Sequence, residues 1–146
     1  MRAQRALGIV TIAAFSAIAL AGCAGGSATA SAAEQANQQV LQSGAFVDVN
    51  IAPSIEKNAN RIFAWVKVEG EFTAEQLATV VSALGAATTQ AGNCEIAIVG
   101  AAHDAAESPA YLRPAAAELG LTTYLTKRDY RLEMPCSVAQ EFAAQR

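Results

Sequence analysis

The chain has 146 residues, which is room for one globular domain. Its hydrophobic fraction of 53% overstates the core it can form, because much of that fraction is alanine, which buries little area. The formal net charge of −3 at pH 7 argues against nucleic acid as a partner.

The amino terminus combines a basic start with a short apolar run. Arg2 and Arg5 precede residues 7–20, which are almost entirely apolar. A helix that spans a bilayer needs about 20 apolar residues, so this run is short for that purpose. Its charged start and small-residue end are typical of a secretory signal. The run leads into Leu20-Ala21-Gly22-Cys23 and not into an Ala-x-Ala cleavage site.

This tetrapeptide resembles the lipobox of bacterial lipoprotein signal peptides, and the resemblance covers residues 1–23. It implies that residues 1–22 are a signal peptide cleaved between Gly22 and Cys23. It also implies a diacylglyceryl thioether on Cys23, often with an acyl chain such as palmitate on the new amino group. The lipid would anchor the protein to the cell membrane on its extracytoplasmic side. No other cofactor is predicted, because the sequence has no Gly-x-Gly-x-x-Gly motif and no P-loop. An ordinary signal with an incidental cysteine, or an uncleaved anchor, is the alternative.

The remaining cysteines form one pair. If Cys23 carries lipid, Cys94 and Cys136 are left in an oxidising compartment, where a disulfide is the natural interpretation. The bridge would close a loop of about 43 residues, which stabilises by roughly 4 kcal/mol. Two buried free thiols are the alternative. Without Arg2 and Arg5 the mature chain has eight basic and thirteen acidic residues, a net charge of −5, which argues against docking through a basic patch.

The segment after the lipobox is predicted to be a linker. Residues 24–32 contain only Ala, Gly, Ser and Thr, which indicates a flexible tether. Residues 34–41 could form a short helix, although they have little apolar face. We therefore predict a lipidated cysteine and tether over residues 23–44 and a single globular domain over residues 45–146.

Two strands and a helix are predicted next. Residues 46–51 and 61–69 both alternate apolar and polar side chains, which indicates neighbouring antiparallel strands. Thr73 and Gln76 have the spacing of a capping box and open a helix to about residue 87. Residues 94–99 then form a strand that Gly100 ends.

The last third of the chain alternates helices and strands. Ser108-Pro109 suits a helix start, and Pro114 would kink that helix, so we predict two helical pieces. Residues 121–126 and 130–134 are predicted strands, and Ser137 to Gln140 is a second candidate capping box. The order predicts an α+β fold: a two-layer sandwich of one mixed four- to five-stranded sheet with helices mainly on one face. The Cys94–Cys136 bridge would fasten the last helix to the sheet.

Residues suited to catalysis are few. His103 is the one histidine, and Glu107 lies four positions later, but a zinc site needs three or four ligands, so no metal site is predicted. The simpler interpretation is a helix start capped by Asp104. Glu69, Glu71 and Glu75 could supply paired carboxylates for hydrolysis, although such a cluster is usually a solvated helix start. No catalytic residue is assigned.

The second face of the sheet is the more informative candidate. If helices cover the aliphatic side, four aromatic residues could lie on the other side among polar groups: Phe46, Phe63, Trp65 and Tyr124. Such a face suits a glycan, peptide or protein partner. The alternatives are that the amino-terminal segment or the last helix covers this face, or that the aromatic side is the helix-covered one.

The sequence thus predicts a lipid-anchored, non-enzymatic domain that binds a protein, peptide or glycan partner in the cell envelope. One alternative is a small envelope hydrolase that uses His103 or the cluster of Glu69, Glu71 and Glu75. Another is a structural lipoprotein without a defined ligand. The membrane is the one partner that the lipobox resemblance itself implies, and nucleic acid is not expected.

Overall fold

Over the part of the chain that the structure describes, the fold is α+β, as predicted, with one four-stranded mixed sheet and four α-helices. A computed structural model describes residues 26–54 and 60–146. The predicted signal peptide and Cys23 lie outside these residues. In chain order the elements are α1 (Gly26–Gln42), β1 (Asp48–Pro53), β2 (Arg61–Val68), α2 (Ala74–Ala87), β3 (Glu95–Ala102), α3 (Arg113–Glu118), β4 (Arg131–Pro135) and α4 (Cys136–Ala144).

The strands lie in the order β1-β2-β3-β4. The predicted antiparallel pairing of β1 with β2 is confirmed, and β4 is antiparallel to β3. The central pair, β2 and β3, is parallel and is connected through α2. A parallel connection requires such a crossover, because the chain must return to the same end of the sheet.

The helices cover one face of the sheet. Along β2, every second residue from Ile62 to Val68 is buried, and the residues between them are only half-buried. The buried residues of the other strands include Ile51, Ile98 and Leu132. They pack with the buried apolar residues of α2 in one core. The predicted two-layer arrangement is therefore observed, with four strands.

α1 contradicts the predicted tether. Residues 26–42 form a 17-residue helix that packs on β1 and α2. Its buried positions repeat at helical spacing: Ala32, Ala33, Ala36 and Val40. Alanine is the best helix former, and its small side chain lets a helix approach closely. The globular domain thus includes residue 26 onward, and the predicted domain start at residue 45 is wrong.

Several predictions for the last third are also wrong. Pro109 pairs with Ala101 in an isolated bridge, and a single helix starts later, with Pro114 in its first turn, where proline costs nothing. Thr122–Tyr124 is a 3₁₀ turn and not part of a strand. α4 begins at Cys136, so its N-cap is Pro135, which has no polar side chain, and the predicted capping box of Ser137 and Gln140 is not formed. Gln140 instead donates to the carbonyl oxygen of Thr88. β3 also continues through Gly100 to Ala102.

The capping box at Thr73 and the disulfide are confirmed. The Thr73 hydroxyl accepts from the Gln76 N–H at 3.2 Å, and the Gln76 side chain accepts from the Thr73 N–H at 3.0 Å. Cys94 and Cys136 are bridged with their Cα atoms 5.3 Å apart. Both cysteines are buried, and the bridge joins the start of β3 to the start of α4.

The exposed edge of β1 is closed by side chains. Ser54 donates to Arg61 across the ladder, so in an antiparallel pair the N–H groups of Val49 and Ile51 point away from β2. The carboxylate of Asp48 accepts the Val49 N–H at 2.9 Å, and Asn37 Oδ1 of α1 accepts the Ile51 N–H at 3.0 Å. The next outward position is Pro53, which has no N–H. This edge therefore offers no free donor row to an added strand.

Replacing Asn37 by alanine is expected to expose this edge. The Ile51 N–H would lose its acceptor, and we expect a loss of about 1–2 kcal/mol in the free energy of unfolding. Gln38→Ala, at an exposed position of the same helix, is the control and should change stability by less than about 0.5 kcal/mol. Urea denaturation gives the stability, and amide hydrogen exchange at Ile51 should accelerate. Unchanged exchange at Ile51 would contradict the capping role.

Candidate functional site

The face of the sheet opposite the helices carries two of the four predicted aromatic residues. Phe63 and Trp65 alternate with the buried residues of β2 and are half-buried. Trp65 lies between Asn50 of β1 and Val99 of β3, and Phe63 lies between Ala52 and Ala97. We call the surface formed by Phe63, Trp65, Val99, Arg131 and Glu133 the open face.

The other two predicted aromatic residues are not on this face. Phe46 precedes β1, where the chain bends, and its ring lies 6.3 Å from that of Phe72. Phe72 is buried and approaches Gly100 from the helix side of the sheet. Tyr124 lies in the 3₁₀ turn and packs against the core cluster. Phe46 was misplaced because the strand alternation was extended beyond the start of β1, and Tyr124 was misplaced because residues 121–126 were predicted to be a strand.

Tyr130 is an aromatic residue beside the open face that the sequence analysis missed. It directly precedes β4 and lines an open groove of about 690 Å³ together with Phe63, Val99 and Arg131. Its hydroxyl accepts from the Arg128 guanidinium at 3.2 Å. The strand alternation of residues 130–134 gave no signal for this placement, because it groups Tyr130 with the buried Leu132 and Met134 and pairs it with Gly100, whose missing side chain would point to the helix side of the sheet.

The groove carries an excess of positive charge. Lys127, Arg128 and Arg131 line it, with Glu133 as its one acidic lining residue. Arg131 pairs with Glu133 at 2.5 Å, yet the buried Nε of Arg131 has no hydrogen-bond partner. A basic groove in a chain with a net negative charge favours a ligand that brings carboxylates or other acceptors.

The segment of residues 126–130, beside the groove, is held in place by an ion pair. Arg113 at the start of α3 donates two hydrogen bonds to the Asp129 carboxylate, at 2.6 and 3.0 Å. These hydrogen bonds hold the pKa of Asp129 below its ordinary value. The Leu112 N–H also donates to the Asp129 carbonyl oxygen at 2.7 Å. The segment thus has a defined position relative to the open face.

A second set of side-chain contacts lies at the other end of the open face. The Lys67 ammonium lies 5.0 Å from the Trp65 ring centroid and 2.6 Å from the Glu107 carboxylate. A cation at this distance is attracted to the ring face. Glu107 has a φ of 48°, a left-handed conformation that is uncommon for residues with a side chain. The turn at residues 103–108 therefore fixes Lys67 beside Trp65.

His103 is not in a helix, contrary to the simpler interpretation of its surroundings. It lies in a turn, where the Asp104 carboxylate accepts hydrogen bonds from the backbone of Ser108 and Ala106. These bonds, led by the one from Ser108, lower the pKa of Asp104. Glu107 pairs with Lys67 and not with His103. The i,i+4 pairing considered for a metal site is thus not formed.

The residues considered for hydrolysis are exposed. His103 Nε2 lies 3.9 Å from Glu69 Oε1, and the two side chains are 53% and 74% exposed. Glu71 and Glu75 are also exposed, at the start of α2. Solvent screens such pairs, so the geometry lacks the burial that tunes a catalytic acid or base. Among residues 26–54 and 60–146, no three His, Cys, Asp or Glu side chains are grouped to hold a metal ion.

In the same ranges, none of the helices combines the length and apolar character that crossing a membrane requires. Comparisons with protein-family models, with curated proteins and with solved structures found no match to this chain.

Proposed function

We propose that this protein is a lipid-anchored, extracytoplasmic domain, without enzymatic activity, that binds a partner in the cell envelope through its open face. The lipobox resemblance at Leu20-Ala21-Gly22-Cys23 supports the anchor. The observation that carries the binding role is the sheet face opposite the helices, where Phe63 and Trp65 are half-buried and Phe63 lines a basic groove together with Tyr130.

The two edges of the sheet are closed to an added strand, which favours the open face as the binding surface. The β1 edge is closed by Asp48, Asn37 and Pro53. At the β4 edge, Thr126 donates to the Arg131 carbonyl oxygen at 2.9 Å, and Pro135 ends the strand. Partners that add a strand need a free edge, whereas partners that pack on a face need exposed rings and polar groups around them. The partner chemistry that fits is a protein, peptide or glycan surface with carboxylates.

The test compares aromatic residues on and off the face. In full-length protein extracted from membranes, Trp65→Ala and Phe63→Ala are expected to weaken binding of a captured envelope partner by at least about tenfold, as loss of an interface anchor does. Tyr111→Ala is the matched control, because Tyr111 is exposed but lies in a different cleft with Gly70 and Pro114. It should bind like the wild type.

Fluorescence gives an independent measurement. Trp65 is the single tryptophan of the chain, so a partner that covers the open face must change its emission. Circular dichroism establishes that each variant is folded. If folded Trp65→Ala and Phe63→Ala proteins retained every partner at wild-type affinity, the open face would not be the binding surface.

A further inference from the structure

The start of α1 limits how far the domain can lie from the proposed anchor. Only Ala24 and Gly25 separate Cys23 from Gly26, the first residue of α1. Three peptide units extend by at most about 11 Å. A lipid on Cys23 would therefore hold the beginning of α1 close to the headgroups.

The beginning of α1 is fastened to one end of the sheet. The buried Thr29 hydroxyl donates to Asn60 Oδ1, and Asn60 Nδ2 donates to the carbonyl oxygens of Ala91 and Asn93 at 3.0 and 2.9 Å. Asn60 precedes β2, and Asn93 and Cys94 precede β3. We call this end, formed by Asn60, residues 91–93 and the Cys94–Cys136 bridge, the basal end.

The opposite end of the sheet is acidic. β2 has eight residues, so its two ends are separated by about 23 Å at 3.3 Å per residue. Seven carboxylates lie around the far end: Asp48, Glu69, Glu71, Glu75, Asp104, Glu107 and Asp129. Glu107 and Asp129 are paired with Lys67 and Arg113, and His103, Lys127 and Arg128 are further basic side chains there, so carboxylates remain in excess. At the basal end the exposed Gly92 and Asn93 are uncharged, and the charge of Glu95 is compensated by Arg61 at 2.6 Å.

We infer that the domain stands on the phospholipid bilayer on its basal end, so that its strands rise from the membrane. The short connection to Cys23 and the Thr29–Asn60 contact bring this end to the surface. An anionic bilayer repels the acidic far end, which reinforces the same orientation. The open face then stands upright and can be approached sideways by a partner in the same membrane. This inference rests on the proposed lipid anchor.

Single-tryptophan variants of the full chain test this orientation. Trp65→Phe removes the native fluorophore, and Asn93→Trp or Ala105→Trp places a new one at the basal or the far end, each at an exposed position. The lipidated proteins are reconstituted in phosphatidylcholine–phosphatidylglycerol vesicles that contain a lipid with a nitroxide on its headgroup. We expect Asn93→Trp to be quenched severalfold more than Ala105→Trp. Equal quenching, or stronger quenching of Ala105→Trp, would overturn the orientation.

Two further measurements separate the orientation from the anchor. Intact mass of the membrane-extracted protein reports lipid on Cys23, and its absence would overturn both proposals. If lipid is present and quenching is equal, only the orientation fails. Inserting about ten Gly and Ser residues between Ala24 and Gly25 frees the domain from the surface and is expected to abolish the difference in quenching. A difference that survived the insertion would contradict the role of the short connection.

Discussion

Gly85→Ala is expected to lower the free energy of unfolding by about 3 kcal/mol, because α2 and α4 leave no space for a methyl group at this position. A Cβ on Gly85 would overlap the carbonyl oxygen of Ala139 and would lie 2.5 Å from the carbonyl carbon of that residue. The obstacle is the backbone of α4, so a change of rotamer cannot relieve it. The higher helix propensity of alanine, worth about 1 kcal/mol, offsets only part of the cost.

The control for this variant is the next residue of the same helix. Ala86 is exposed, and Ala86→Ser should change stability by about 0.5 kcal/mol or less. Urea denaturation followed by circular dichroism measures both. A Gly85→Ala protein as stable as the wild type would show that α2 and α4 do not cross as closely as described here.

Removing the disulfide is expected to have the largest effect on stability. With a sequence separation of 42 between the two cysteines, the bridge restricts the unfolded chain, and its loss should cost about 4 kcal/mol. The double variant Cys94→Ala and Cys136→Ala removes it while leaving small apolar side chains at two buried positions. The urea midpoint should fall accordingly, and α4 should lose protection from hydrogen exchange before the central strands do.

Reduction of the wild type supplies the control for this prediction. A thiol reductant should lower the stability of the wild type toward that of the double variant and should leave the double variant unchanged. If the oxidised wild type and the double variant unfolded at the same urea concentration, the bridge would not be a stabilising element of the fold.

Local sequence patterns were sufficient to predict the centre of the fold. The alternation of residues 61–69 predicted β2, and the Thr73–Gln76 spacing predicted the start of α2, because both depend on neighbouring residues. The disulfide followed from the even pair of cysteines left after Cys23. Burial of alternate residues in β2 also places Phe63 and Trp65 on a common face, as predicted.

The remaining elements depend on tertiary contacts that the sequence does not display. An Ala- and Ser-rich segment can be a linker or a helix, and α1 is a helix because Ala33, Ala36 and Val40 find β1 and α2 to pack against. Pro109 was predicted to start a helix that Pro114 would kink, but Pro109 forms a bridge with Ala101 and Pro114 lies in the first turn of α3. The groove forms because residues 126–130 lie close to β4. No local sequence pattern indicates that these residues approach the strand.

The closed edges of the sheet matter most if many copies share one membrane. A lipid anchor confines molecules to two dimensions, where collisions between neighbours are frequent, and free strand edges would then join copies into extended sheets. Here Asn37, Asp48 and Pro53 occupy the β1 edge, and the segment before β4 occupies part of the other. Anchored as we propose, such a domain can be displayed at high surface density while the open face, its proposed binding surface, remains accessible.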